Sequence, residues 1–79
     1  MKANIYVTLK REVLDPQGDA VKRALGSLEF GGVRDVRVGK LIEIELDDRE
    51  PGAAEAELRA MCEKLLANPV IEDFRFEIV

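Results

Sequence analysis

The stretch Val33-Arg34-Asp35-Val36-Arg37-Val38-Gly39-Lys40-Leu41-Ile42-Glu43-Ile44-Glu45-Leu46 decides how many strands this chain has. Ile42, Ile44 and Leu46 alternate with Glu43, Glu45 and Asp47, the period-two pattern of a strand with one wet face. Val33 to Val38 reads as another strand. Gly39-Lys40 between them fits a two-residue hairpin turn with glycine first, the type II′ arrangement. The stretch therefore predicts a β-hairpin.

Working outward, residues 3–10 place Ile5, Val7 and Leu9 on one face and Asn4, Tyr6, Thr8 and Lys10 on the other, a half-buried strand. Asp15 is positioned to cap the next element. Pro16 suits a first helical position, where its missing N–H would be unpaired anyway. Val21, Ala24, Leu25 and Leu28 then form one helical stripe, with Gly31-Gly32 as its expected end. Beyond the hairpin, Asp47 to Gly52 is a polar loop. Ala54, Leu58, Met61, Cys62 and Leu65 form a second stripe, which Asn68-Pro69 breaks. Phe74, Phe76 and Ile78 alternate with Arg75 and Glu77 in a last strand.

The predicted order is β-α-β-β-α-β in a single domain spanning 1–79. That is an α+β fold of ferredoxin-like type, with a four-stranded antiparallel sheet and two helices on one face, built from two right-handed crossovers around the hairpin. Tyr6, Val36, Val38, Leu41, Ile71 and Val79 then fall on the other sheet face or on strand edges. Contact with a second copy through the sheet would cover them.

Composition points the same way. Of the residues 47% are hydrophobic but only four are aromatic, Tyr6, Phe30, Phe74 and Phe76, so Val, Ile and Leu must supply the core. A domain of this size buries only about 60% of the surface its unfolded chain exposes. Small domains compensate with staples or with oligomerisation. The single cysteine excludes an internal disulfide, and self-association is the expected route. The net charge of −4, from 12 basic and 16 acidic residues, argues against a dedicated nucleic-acid binder, which needs a basic face. The first residues begin a strand pattern at once and carry no long apolar run. Together with the lone cysteine this points to the cytoplasm.

No residue cluster announces catalysis. Histidine, the usual general base and commonest metal ligand, is absent. Cys62 lies on an apolar stripe and reads as a core residue, because free cysteine packs as a small hydrophobe. Glu43/Glu45 and Asp47/Asp48 read as a solvated face rather than as an acid–base or Mg²⁺ pair. Gly39-Lys40 lacks the following hydroxyl and helix of a phosphate loop. Arg34, Arg37 and Lys40 are close enough in sequence to face an acidic partner or a phosphorylated ligand; a solvated strand is the plainer alternative. Asp15-Pro16-Gln17-Gly18 reads as a helix start, whose free N–H groups could also dock a neighbouring chain.

Several separated segments, in order and spacing, resemble one family. They are Val7-Thr8-Leu9-Lys10, Val13-Leu14-Asp15-Pro16-Gln17-Gly18, Ala24-Leu25-Gly26, Val33 to Lys40, Ile42 to Leu46, and Ala60 to Glu72. The family is PurS, the small subunit of bacterial phosphoribosylformylglycinamidine (FGAM) synthase. This chain has Leu28-Glu29-Phe30 where the family usually shows Leu-Gly-Phe.

The resemblance implies a subunit that makes no bonds itself. It would join a PurL-type synthetase to a PurQ-type glutaminase in de novo purine biosynthesis, as a homodimer or tetramer, and would support ammonia transfer between them. ATP and Mg²⁺ would be used by the synthetase, with no cofactor or metal in this chain. Asp15, Gln17 and Gly18 before the first helix and Arg37, Gly39 and Lys40 at the hairpin are the expected partner-interface residues; no catalytic residue is expected. The alternative is a stand-alone ligand-binding regulatory domain of the ACT type, which shares the element order. An acylphosphatase lacks support, because Arg11 to Gly18 is acidic and proline-interrupted where a phosphate cradle would be needed.

Overall fold

The computed structural model describes all 79 residues. Strand β1 (Lys2–Leu9) leads to helix α1 (Pro16–Ser27), strand β2 (Gly39–Glu45), helix α2 (Pro51–Met61) with a π-helical turn over Cys62–Leu66, and strand β3 (Glu72–Ile78). The sheet has three strands in the order β2-β1-β3. β1 is central and antiparallel to both neighbours, with Ile5 opposite Ile42 and Phe76.

The expected four-stranded sheet is therefore corrected to three strands: α1 joins the antiparallel neighbours β1 and β2, and α2 carries the chain over β1 from β2 to β3, which run parallel to each other. Val33–Val38 is not a strand, and Gly39-Lys40 is not a turn. The outer edge of β2, where the expected hairpin would lay 33–38, stays unpaired, because the chain runs through Gly39-Lys40 into β2 without turning back. The backbone of 33–38 has other partners. Val36 N–H donates to Asp35 Oδ1 at 3.0 Å and Val38 N–H to Asp15 Oδ2 at 2.7 Å. The segment runs as an extended strap beside the start of α1. Gly39 opens β2 opposite Thr8. A Cβ there would lie 2.5 Å from Val7 O and 2.7 Å from Thr8 Cγ2, so the glycine serves close strand approach.

The core lies between the inner sheet face and α2. Ala3, Ile5 and Val7 of β1 meet Leu58, Cys62 and Ala67, all taken out of water. Ile42, Ile44, Phe74, Phe76 and Ile78 flank them half-buried. The second stripe departs from its expected course at Leu65, which is 82% exposed. The π turn, closed by Ala67 N–H donating to Cys62 O at 3.0 Å, inserts an extra residue per turn. This rotates Leu65 outward and brings Leu66 and Ala67 to the core.

Helix α1 stops before the Gly31-Gly32 pair. Phe30 N–H donates to Leu25 O and Glu29 N–H to Gly26 O, both at 3.0 Å. This is a Schellman cap, whose left-handed position usually holds glycine. Glu29 occupies it here with φ 71°.

None of the α1 stripe enters the core. Val21 and Leu28, with Leu14 and Phe30 nearby, are exposed, so the helix is an arm rather than a second covering layer. The radius of gyration is 15.9 Å, against about 12 Å for a compact chain of this length. The accessible surface is 5828 Å², against about 4,800 Å² for a compact monomer of this mass.

The outer sheet face carries exposed Leu41 beside a layer of polar contacts. Lys2 pairs with Glu43 at 3.2 Å and Lys10 with Asp73 at 3.0 Å, and the Tyr6 hydroxyl donates to Glu77 at 2.8 Å. Val36 and Val38 belong to the strap and not to this face.

Candidate functional site

The six residues singled out in the sequence converge at one end of the molecule, where β1 ends, α1 begins and the strap enters β2. They divide into a buried clasp and an exposed cleft.

Asp15 is the centre of the clasp. It is the N-cap of α1 and is 6% exposed. Its Oδ1 accepts from Gly18 N–H at 2.9 Å and its Oδ2 from Val38 N–H at 2.7 Å. One carboxylate thus caps the helix and fastens the strap to it. The Gly18 N–H first, then the Val38 N–H and the nearby Arg37 charge, hold its pKa below the usual carboxylate range.

Gly18 is buried because the strap crosses it. An added Cβ would run into Val36 O and would sit 2.9 Å from Asp15 Oδ2. Arg37 completes the junction from outside, its guanidinium donating to Val13 O and Arg11 O, both at 2.7 Å. That loop's carbonyls would otherwise face water.

Gln17, Gly39 and Lys40 face outward around a shallow cleft of about 280 Å³, with Thr8, Asp15 and Glu72 also on its wall. Lys40 has no carboxylate within ion-pair distance. The sequence residues thus share one neighbourhood, with Asp15 and Gly18 turned inward to shape it and Gln17, Gly39 and Lys40 exposed.

Two features were not legible from spacing. Arg75 stacks on Tyr6, its guanidinium carbon 4.0 Å from the ring centroid. The register that places them opposite each other is the only signal for it. Glu29 in the left-handed cap could be anticipated only from the glycine that the PurS resemblance leads one to expect there.

No group of three or more His, Cys, Asp or Glu side chains converges. Burial pushes the Cys62 thiol pKa up from its usual value, which leaves it in the poorly nucleophilic protonated form. No helix is long and apolar enough to cross a membrane.

Comparisons with known proteins agree on one relationship. Residues 2–79 match the family model described as PurS, phosphoribosylformylglycinamidine (FGAM) synthase. The Bacillus subtilis phosphoribosylformylglycinamidine synthase subunit PurS is 52% identical over 79 residues, covering 98% of this chain and 90% of the relative. The crystal structure of Methanocaldococcus jannaschii PurS superposes with a TM-score of 0.84 at 41% identity, over 96% of this chain and 92% of that one. A chain in the structure of PurLQS from Thermotoga maritima superposes with a TM-score of 0.89 at 31% identity, over 99% and 95%. Matches of this extent place the chain in the PurS family, the small subunit of phosphoribosylformylglycinamidine synthase.

Proposed function

We infer that this chain is the non-catalytic bridging subunit of an FGAM synthase complex in de novo purine biosynthesis. It holds a PurL-type synthetase and a PurQ-type glutaminase together and supports transfer of ammonia between them. The observation that carries this is the near full-length superposition on a chain of the PurLQS structure. The physical need is plain. Ammonia released to water near neutral pH is protonated and loses its nucleophilic lone pair, so the two active sites must be joined by contact. ATP and Mg²⁺ act at the synthetase, and the complex works in the cytoplasm.

The shape of the chain supports association with further copies as a homodimer or tetramer. Its surface exceeds that of a compact monomer by about 1,000 Å², close to the roughly 800 Å² that each partner contributes to a standard interface. Much of the exposed apolar side-chain surface lies at Leu14, Val21, Leu28 and Phe30, on and beside the α1 arm.

Co-purification with PurL-type and PurQ-type subunits, in the presence of Mg²⁺, ADP and glutamine, tests the reading. A ternary complex whose glutamine-dependent FGAM formation is lost when this chain is omitted supports it. Full glutamine-dependent activity without the chain would overturn it.

A further inference from the structure

Strand β2 is paired on one side only: β1 lies along one edge and no strand along the other. Met1 and Leu46 exchange both backbone bonds, Leu46 N–H donating to Met1 O at 2.7 Å and the Met1 amine to Leu46 O at 2.8 Å. In an antiparallel ladder such pairs alternate with unbonded ones. Ile44, Ile42 and Lys40 therefore bond to β1, and Glu45, Glu43, Leu41 and Gly39 turn their N–H and C=O groups outward. The register with β1 runs one-to-one from Glu45 to Gly39, so no bulge twists this edge away, and the strand holds no proline. Bulges and prolines are common guards of a free edge.

The order of side chains suits this edge to a second copy of itself. β2 is seven residues long, and its middle residue is Ile42. Two antiparallel copies related by a two-fold axis at Ile42 pair over their full length. Ile42 then faces Ile42 of the second copy, Leu41 faces Glu43, Lys40 faces Ile44, and Gly39 faces Glu45. No like charges stand directly opposite. The two Glu43 side chains come diagonal to each other, and Lys2 already holds each at 3.2 Å. The backbone agrees, because Leu41 and Glu43 both present outward groups and can exchange both bonds. The free edge of β3 fails the same test. Its middle residue is Arg75, which would face Arg75 of the second copy, and Asp73 would face Glu77. Like charges directly opposite are destabilising.

We propose that the outer edge of β2 seats a second copy of this chain, the two sheets joining edge to edge across a two-fold axis at Ile42. The proposal rests on the reading that copies self-associate and names the surface they use. A two-fold contact of this kind is self-complementary and closes at two copies. Ile42 and Ile44, half-buried in the single chain, are shielded further by their counterparts, and the outward N–H and C=O groups gain partners within the sheet.

Cysteine cross-linking and mass in solution test this. Residues facing each other in an unbonded antiparallel pair have Cα atoms about 4.5 Å apart, within reach of a disulfide. Ile42→Cys is therefore expected to give a covalent dimer on oxidation with diamide. Glu45→Cys should not, because its two copies lie about 20 Å apart along the seam. Wild type, whose single thiol is the buried Cys62, should stay uncross-linked. Glu43→Pro removes an outward N–H, which proline on a free edge can do without disturbing the chain's own sheet; circular dichroism checks the fold. It is expected to halve the mass measured by light scattering, while Glu43→Ala, which keeps the N–H, leaves the mass unchanged. The cysteine pair decides by itself should the proline variant unfold. Monomeric wild type would overturn self-association and the seam together. A wild-type oligomer in which Ile42→Cys fails to cross-link, or whose mass survives Glu43→Pro with the fold intact, would overturn the seam alone and move the contact elsewhere on the chain. Cross-linking of Glu45→Cys as readily as Ile42→Cys would overturn the register.

Discussion

Gly18→Ala is the substitution for which sequence logic and tertiary structure predict opposite signs. In a helix, alanine is favoured over glycine by about 1 kcal/mol. Helix propensity alone therefore predicts that the variant is more stable. The strap reverses this. The new methyl would collide with Val36 O and lie 3.0 Å from Val36 C. These are backbone atoms, which cannot rotate away, so the strap itself must shift. That shift pulls on the bond from Val38 N–H to Asp15. A clash against backbone falls in the upper part of the overpacking range, about 2–3 kcal/mol, of which the propensity gain of about 1 kcal/mol recovers only part. A net loss of about 1–2 kcal/mol lowers the Tm by roughly 5–15 °C for a domain of this size.

Gly26→Ala is the internal control. It lies in the same helix with nothing within 4 Å of its added Cβ, and it should gain about 0.5–1 kcal/mol. Thermal unfolding followed at 222 nm, with all proteins at one concentration because self-association shifts Tm, reads both. If Gly18→Ala melts at or above the wild-type temperature, the clasp does not hold the strap against the helix as described.

Three further outcomes follow from the same geometry. Glu29→Gly relieves a left-handed residue in the Schellman cap and should stabilise by about 0.5–1 kcal/mol, seen as a higher urea midpoint at unchanged m-value; a lower midpoint would contradict the cap. Asp15 has its pKa shifted below the usual value of 3.8, so its carboxylate stabilises the fold above that pH and loses this contribution as pH falls through its folded-state value. The stability gap between wild type and Asp15→Asn should accordingly be constant from pH 5 to 7 and shrink below about pH 4. A gap that widens on acidification would reverse the assignment. Cys62 is fully buried with its thiol acidity weakened, so a thiol reagent at pH 8 should label it only slowly until denaturant is added. Rapid labelling of the native protein would show that the π turn opens readily.

Much of the fold was legible because local signals there agree with tertiary ones. Alternation in residues 3–10 and 72–78, and the Ile42-Ile44-Leu46 repeat, place apolar side chains on one face whatever the partner. Asp15-Pro16 starts a helix by local bonding alone, and the structure keeps that start. The partner-interface candidates fall in one neighbourhood because they cluster in two segments that the fold brings together. What the residues alone could not reveal is that Asp15 and Gly18 point inward while Gln17, Gly39 and Lys40 point out.

The sequence by itself determined the element types, the α+β class, the apolar faces of three strands and the likeness to PurS. Tertiary structure alone decided the number of strands. Val33 to Val38 has the composition of a strand, but strand pairing is non-local and depends on which edges are free. The outer edge of β2 was free, but the strap's Val36 and Val38 N–H groups found aspartate oxygens instead. The same holds for the π turn that expels Leu65 and for the arm-like course of α1. A helical stripe records that a face is apolar, and only packing decides whether the chain covers that face itself or leaves it for another molecule.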